Sequence, residues 1–445
     1  MNALLAGLRQ LRHYPSAIIG LTIVLGLLVL SLVTVLTIPY REAIRLWRGG
    51  AGVWDEHPEL ARPVWFQLFS SQNLPRTIIV DTRQGGKVIV DQPDGSRLMN
   101  AHLRFAFPYD VLPSEIGLWL STTARETQPF VMLSWRKPNG EEIAFEERTP
   151  GQTDRYFLSR DEGLRQRLQA RSTEEALFGA GSRGDGSPLK GTYELALEAI
   201  LFEPGTDVDA RLVVYGTIYG LAGTDTQRRD LAVALLWGTP IALTFGLLAA
   251  VGTTVFSLMI SAVGTWFGGR LDAIIQRITE VNAMLPGLTL LVMIGMFYSR
   301  SLWIMLLAII LLSMFSLGIK TYRAIFLSLK EAPYIEAART YGAGSLRIVF
   351  RYMIPRVIPM LIPAFVTAIP GFVFLEASLS ILGLGDPDIP TWGKLLSDAY
   401  ANEALFKGYY YWVLEPAALL MITGMSFAMS GFALDRMFNP RLRTT

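Results

Sequence analysis

The residue types that make and break bonds are sparse in this sequence and poorly placed for catalysis. There is no cysteine, and the three histidines, His13, His57 and His102, are too scattered to argue for a metal cluster. Gly86-Lys87 is followed by Val88 and Gly393-Lys394 by Leu395, so no Gly-x-x-x-x-Gly-Lys-Ser/Thr loop is present to cradle ATP phosphates. Neither a nucleophile elbow nor a His-Glu-x-x-His helix occurs, and no catalytic residue is assigned. The polar residue that stands out is Glu376, a carboxylate in an otherwise apolar run beside Ser378 and Ser380. Charge at such depth is costly, so Glu376 should face protein or water. It either lines a polar path or gate, or hydrogen-bonds unwound backbone near the two serines.

The elements that must hold these residues are set by where charge is missing. The chain has 445 residues, 51% apolar and 18% charged, with a formal net charge of +2. The charges are unevenly spread, which excludes an ordinary cytosolic globule and a disordered tail. A helix rises 1.5 Å per residue, so roughly 20 uncharged residues cross a hydrocarbon core of about 30 Å. Six runs meet that need: 16–40, 231–269, 281–299, 301–319, 357–375 and 416–434. The second is overlong, so its start up to Trp237 reads as interfacial and Trp266 as the opposite aromatic belt. The first could be a signal peptide, but it lacks a small-x-small cleavage site and reads as an uncleaved anchor. Arg9 and Arg12, the basic segment 320–356, and Arg436, Arg441 and Arg443 fall on one side of six crossings. By the positive-inside tendency that side is the cytoplasm, with both termini there and the acidic segment 386–415 outside. The prolines Pro240, Pro286, Pro359, Pro363 and Pro370 mark sites where these helices can kink. Glu280 reads as a neutralising partner for Arg277.

Segment 41–230 is different in kind, with 23 Lys/Arg and 27 Asp/Glu, and is large enough for its own core. Residues 87–90, 103–107, 117–120, 193–201 and 211–219 read as short strands. Residues 130–135 and 142–145 flank Pro138-Asn139-Gly140, which predicts a hairpin with a tight Asn-Gly turn. Ser172-x-x-Glu175 predicts a capped helix, and 179–186 a loop. Arg183-Gly184-Asp185 matches an adhesion tripeptide, a triplet that arises readily by chance. Trp47, Trp54, Trp65 and Phe66 would pack in the β core, on the membrane surface or against another protein, the core being the usual fate of such residues.

Residues 328–359 lie between two spans and are too long for a simple turn. Pro333 suits a first helical turn, with Ile335, Ala338 and Tyr341 on one face. Gly342 and Gly344 permit a sharp break, and Ser345 can cap a second helix through Leu346, Val349, Phe350 and Met353 that stops near Pro355. A slim alanine-faced helix with Glu336 and Arg339 at its rim allows close approach by another protein. The plainer reading is a surface elbow joining two spans.

Glu336-Ala337-Ala338, three residues, Gly342, nine residues and then Tyr352-Met353-Ile354-Pro355 resembles the EAA loop of ABC importer permeases, with two conservative hydrophobic departures. Gly223-Thr224-Asp225 with Arg229-Asp230, the run Leu-Glu-Ala-Ser-Leu-Ser-Ile-Leu-Gly-Leu-Gly at 375–385, and Pro-Thr-Trp-Gly-Lys-Leu-Leu at 390–396, containing Trp392 and Gly393, sharpen the likeness. Together they resemble the C-type permease subunit of the dipeptide/oligopeptide/nickel importer family, loosely over 1–40 and closely over 221–445. Arg228 departs from it, since the family usually has glycine before Arg-Asp, and the large insert is absent from compact members.

The resemblance implies a type I ABC importer permease fold, an α-helical polytopic membrane protein with six transmembrane helices. A β-rich extracytoplasmic insert would lie between the first two of them. Its parts would be 1–40 (cytoplasmic N-terminus and first span), 41–222 (the insert) and 223–445 (the permease core, with the coupling loop at about 324–355). The implied site is Glu336, Ala337, Ala338, Gly342 and Pro355 for ATPase coupling. Glu376, Ser378 and Ser380 would be path or gate residues, a structural or gating role being preferred to substrate recognition. Gly223, Thr224, Asp225, Trp392 and Gly393 form the external motif. The implied partners are a homologous B-type subunit, two ATPase subunits that bind ATP and Mg, an extracytoplasmic solute-binding protein and the lipid bilayer, with no nucleic acid and no metal or cofactor bound by this chain. The setting would be a prokaryotic plasma (inner) membrane, and the cargo peptides, nickel chelates or oligosaccharides. The alternatives are a tethered sensor or adhesion protein acting through its β module, for which one span would suffice, and an ion-driven secondary transporter, for which inverted repeats and several intramembrane acids are wanting.

Overall fold

The computed structural model describes residues 15–50, 52–93, 95–179 and 187–438. Arg9, Arg12, His13, the Arg183-Gly184-Asp185 triplet, Arg441 and Arg443 lie outside the described residues, as does the 179–186 loop beyond its first residue. The chain forms two compact units, one of Met1–Arg48 with Val233–Thr445 and the other of Gly49–Ala232. The helical unit opens with α1 (Pro15–Thr37) and α2 (Tyr40–Arg48). α1 is uncharged and about 34 Å long, enough to cross a bilayer. Its Gly20 permits close packing, because a Cβ there would lie 2.8 Å from the Ser426 carbonyl oxygen.

The β unit contains β1 (Ile78–Asp81), β2 (Lys87–Asp91), β3 (Arg97–Phe107), β4 (Glu115–Thr122), β5 (Phe130–Arg136), β6 (Glu142–Ala144), β7 (Thr153–Phe157), β8 (Gly191–Leu201) and β9 (Val208–Tyr215), with α3 (Glu162–Arg167) and α4 (Thr173–Phe178) between β7 and β8. Two antiparallel sheets form, in the orders β1-β9-β4-β7 and β2-β3-β8-β5-β6. Alternate residues of β3 (Met99, Ala101, Leu103, Phe105, Phe107) and β9 (Val208, Ala210, Leu212, Val214) turn into one shared core, so the sheets make a sandwich. Its aromatic centre joins Phe107, Trp135 and Tyr193 to Phe178 of α4, at 4.7, 5.4 and 4.7 Å between ring centroids. The Trp135 indole donates to the Leu177 carbonyl at 3.0 Å, so the buried N–H is satisfied.

Several local expectations are met and others corrected. Ser172 caps α4 by accepting from the Glu175 N–H. The hairpin at 137–141 is present, but only Gly140 has a positive φ (+87°); the Lys137 carbonyl accepts from Gly140 N–H and the Glu141 carbonyl from Lys137 N–H, a longer turn with a bulge rather than the two-residue kind. The last strand ends at Tyr215, short of 219, because Gly216 lets the backbone of Pro75 and Arg76 cross against it. β1 and β7 are additional strands. Of the four early aromatics, Trp47 and Trp54 are buried, Phe66 is half-buried and Trp65 is exposed.

The helical unit resumes with α5 (Leu231–Phe267), α6 (Gly269–Met284), α7 (Gly287–Phe297), α8 (Leu302–Ser313), α9 (Gly318–Lys330), α10 (Pro333–Thr340), α11 (Ser345–Ile348), α12 (Ile354–Leu379), α13 (Trp392–Ala401) and α14 (Tyr410–Phe438). Among the described residues, four helical stretches are long and apolar enough to cross a membrane, and up to six if the pairs α6/α7, bent by 79°, and α8/α9, bent by 50°, each count as one. The third and fourth uncharged runs are thus broken, the former at Leu285-Pro286, where proline removes a backbone donor. α5 is one continuous helix rather than an interfacial piece plus a span, and both Trp237 and Trp266 are buried instead of forming a lipid-facing belt. The helix after the loop does not stop at Pro355. A π turn over Val349–Met353 connects α11 to α12, taking up the register where proline offers no N–H, and the apolar stretch runs on from Ser345 to Leu384.

Trp135→Ala should destabilise the sandwich by about 3–5 kcal/mol, since it removes a fully buried indole and its hydrogen bond together. Urea unfolding of the full-length protein, followed by hydrogen exchange at β3, β5 and β8, measures this.

Candidate functional site

The exposed loop is built around α10. Ile335 and Ala338 are buried against Leu258, Ala262 and Trp266 of α5, whereas Glu336 and Ala337 face outward. The helix ends in a Schellman arrangement: Gly342 N–H donates to the Arg339 carbonyl at 2.9 Å and Ala343 N–H to the Ala338 carbonyl at 3.0 Å, with Gly342 at φ +79°. A Cβ at Gly342 would meet nothing within 4 Å, so glycine is needed there for its backbone and not for space. Pro355 is exposed at the first turn of α12. Two expectations change. Tyr341 is 91% exposed and does not share the buried face, because the chain has left the helix at that point. Gly344, not Ser345, occupies the N-cap of α11. Arg339 is exposed at the rim as expected, and its guanidinium lies 4.4 Å over the Trp266 ring.

Glu376 belongs to a buried junction. It is 6% exposed, and its Oε1 accepts from the hydroxyls of Ser380 and Thr391, each at 2.9 Å. Thr391 Oγ1 in turn accepts from the Lys394 N–H, capping α13. Trp392 lies over Gly238 of α5, where a Cβ would fall 2.3 Å from the indole, and its Nε1 donates to the Leu235 carbonyl at 2.9 Å. Gly393 faces the Ala377 Cα and Ser380 Cβ, which a Cβ would approach to 2.7 and 2.8 Å. Glu376, Ser380, Trp392 and Gly393 therefore come together, with Thr391, which sequence reasoning missed. Ser378 is not among them: it is exposed and bonds to the Phe374 carbonyl of its own helix.

Gly223, Thr224 and Asp225 form a second junction, inside the β unit and not at the start of the helical one. Thr224 Oγ1 donates to the Pro58 carbonyl and accepts from Ala61 N–H. Asp225 is fully buried, pairs with Arg229 at 2.6 Å and accepts from the N–H groups of Gln227 and Arg229. Burial nevertheless pushes its carboxyl above the usual carboxylate range, outweighing the Arg229 guanidinium. Arg228 occupies a left-handed conformation, φ +64°, that glycine adopts freely. Its side chain compensates by pairing with Glu115, donating to the His57 carbonyl at 2.8 Å and lying 4.6 Å over the Tyr215 ring. His57 Nε2 lies 2.8 Å from the Tyr219 hydroxyl, the two rings tilted with centroids 4.3 Å apart, and burial holds its imidazole down at about 4.

No group of three or more His, Cys, Asp or Glu side chains suited to a metal ion occurs among the described residues. The arrangement offers a presented helix, a buried polar junction in each unit and long apolar helices. Residues 242–444 match the family described as binding-protein-dependent transport system inner membrane component. The oligopeptide transport system permease protein OppC of Bacillus subtilis is 30% identical over 223 residues, which are 50% of this chain and 72% of that protein. The dipeptide transport system permease protein DppC of Lactococcus lactis is 28% identical over 220 residues, 49% of this chain and 63% of the relative. The glutathione transport system permease protein GsiD of Pectobacterium atrosepticum is 27% identical over 223 residues, 50% and 73%.

Two measurements test these junctions. Gly393→Val should lower stability by about 1–3 kcal/mol through overpacking, while Glu376→Gln, whose amide oxygen keeps both acceptor roles, should melt near the parent; thermal melting in detergent distinguishes them. Because the folded His57 holds its proton less tightly than the unfolded chain, its contribution is fully present above about pH 6.5 and is lost as pH falls toward 4. Urea titrations of the full chain at pH 7 and 4.5 should show a smaller acid loss in His57→Gln.

Proposed function

This chain belongs to the binding-protein-dependent transport system inner membrane components, the permeases of ABC importers, and on that footing we propose how it works. It is a multi-pass membrane protein of the peptide-transport branch. With a homologous B-type subunit it forms the translocation pathway for peptides or related small solutes, the peptide class resting on the names of its relatives. Each bent helix pair counts as one crossing, making six, with both termini cytoplasmic and the β unit outside. An extracytoplasmic binding protein delivers the solute. Two partner ATPase subunits bind ATP and Mg and supply the energy.

The observation that carries this reading is α10: a short helix seated by Ile335 and Ala338, turned sharply at Gly342, and presenting Glu336 and Ala337 outward. Glu336 pairs with a basic group of the ATPase, Ala337 keeps the contact close, Ala338 seats the helix, Gly342 sets the bend, and Pro355 fixes the exit into α12. The Glu376 junction, buried and hydrogen-bonded, suits bracing of the outer gate better than solute recognition.

The test is purification of the assembled complex. Glu336→Arg and Gly342→Asp should each reduce transport-coupled ATP hydrolysis by about tenfold or more, the scale of losing a central contact. Unchanged coupled hydrolysis in both variants, or failure of any nucleotide-binding subunit to co-purify with the parent chain, would overturn the assignment.

A further inference from the structure

The presented helix α10 has few holds on the rest of its unit, and those holds converge on one place. Besides the packing of Ile335 and Ala338, Arg339 lies over the Trp266 ring, and Lys330, just before α10, donates through Nζ to the carbonyls of Thr265 and Trp266 at 2.9 Å each. These are the last residues of α5, whose final carbonyls would otherwise lack helical partners. Gly268, at φ +66°, ends the helix directly afterward. The opposite end of α5 carries Gly238 and the Leu235 carbonyl, which receive Trp392. Between the two ends lie about 45 Å of helix. Gly246 and Gly252 admit Val373 of α12 and Ile310 of α8 to contacts that a Cβ would close to 2.7 Å. Ser257 and Ser261 donate to the carbonyls of Met314 and Ile319, at the bend of α8/α9.

We propose that Trp266 and Arg339 are positioning residues through which displacement of α10 passes to α5, and that α5, a continuous helix across Pro240, carries it to the Trp392 junction. This rests on the reading of α10 as the ATPase-docking helix. A flat cation over an indole face resists sliding in the plane of the ring less than separation from it, so the contact pulls and pushes along the ring normal. The Lys330 bonds then hold the end of α5 in register while α10 moves. Trp392 receives the motion, and Thr391 beside it passes it to Glu376.

The test uses the complete transporter, with its partner subunits and loaded binding protein, in lipid nanodiscs. Trp266→Leu should lower binding-protein-stimulated ATP hydrolysis and uptake about fivefold, while basal hydrolysis and the recovery of ATPase subunits stay within about twofold of the parent, and Arg339→Gln should lower stimulated hydrolysis and uptake to the same extent. The double variant should lose no more than either single one, and Trp266→Phe should regain part of the activity. The chain has no cysteine, so spin labels at Tyr341→Cys and Phe406→Cys, both strongly exposed, report the two ends directly. The ATP-dependent change in their separation should vanish in Trp266→Leu with the nucleotide-free separation unaltered. Multiplying losses in the double variant, a label separation that still responds to ATP, or a parallel fall in assembly and basal hydrolysis would each overturn the proposal. Should the parent chain recover no ATPase subunit, the docking reading itself fails, a result distinguishable from all three.

Discussion

A backbone carbonyl freed at membrane depth has no water to turn to, and this constraint organises the helical unit. Side chains from other helices reach backbone carbonyls at one bend in the apolar helices and near their ends. Ser257 and Ser261 reach the bend of α8/α9, Asn282 donates to the carbonyls of Leu312 and Phe315, Lys330 covers the end of α5, and Trp392 takes the Leu235 carbonyl. The start of α8 is met in the complementary sense by Asp386, whose carboxylate accepts from Leu302 N–H. Polar residues that look misplaced in an apolar sequence are therefore the ones that let helices break and still pack.

The two faces of α10 divide the work of the loop. One face is sealed by small and apolar side chains; the other carries a carboxylate and an alanine that are exposed. Gly342 makes the division possible, because turning the chain in so few residues needs a left-handed backbone. The buried junction at Glu376 obeys the same economy at the far side: one carboxylate oxygen gathers two hydroxyls, one from its own helical segment and one from the cap of α13.

How much of this the sequence discloses depends on the range of the interaction. The absence of charge located the apolar helices, and local chemistry located the Ser172 cap, the Asn139-Gly140 hairpin and the break at Gly342. Periodicity failed where one residue matters. Ser378 and Ser380 both look like neighbours of Glu376, but only the residue four positions on shares its helical face. Thr391 and Trp266 were illegible as partners, since nothing in the local sequence announces contacts with Glu376 or Arg339 across loops and helices. The break inside the third run was marked by Pro286, whereas the bend between Ser313 and Gly318 in the fourth, where no proline stands, was hidden because hydropathy averages over the turn.

Arg228 has an implication for how such chains can change. Its left-handed backbone is tolerable because Glu115, Tyr215 and the His57 carbonyl, all supplied by the β unit, reward an arginine at that turn. A related chain without the β unit has none of these to offer, and glycine is the residue with least to lose there. Arginine at this turn and the three groups that hold it are thus expected to vary together, glycine returning wherever those groups are lost.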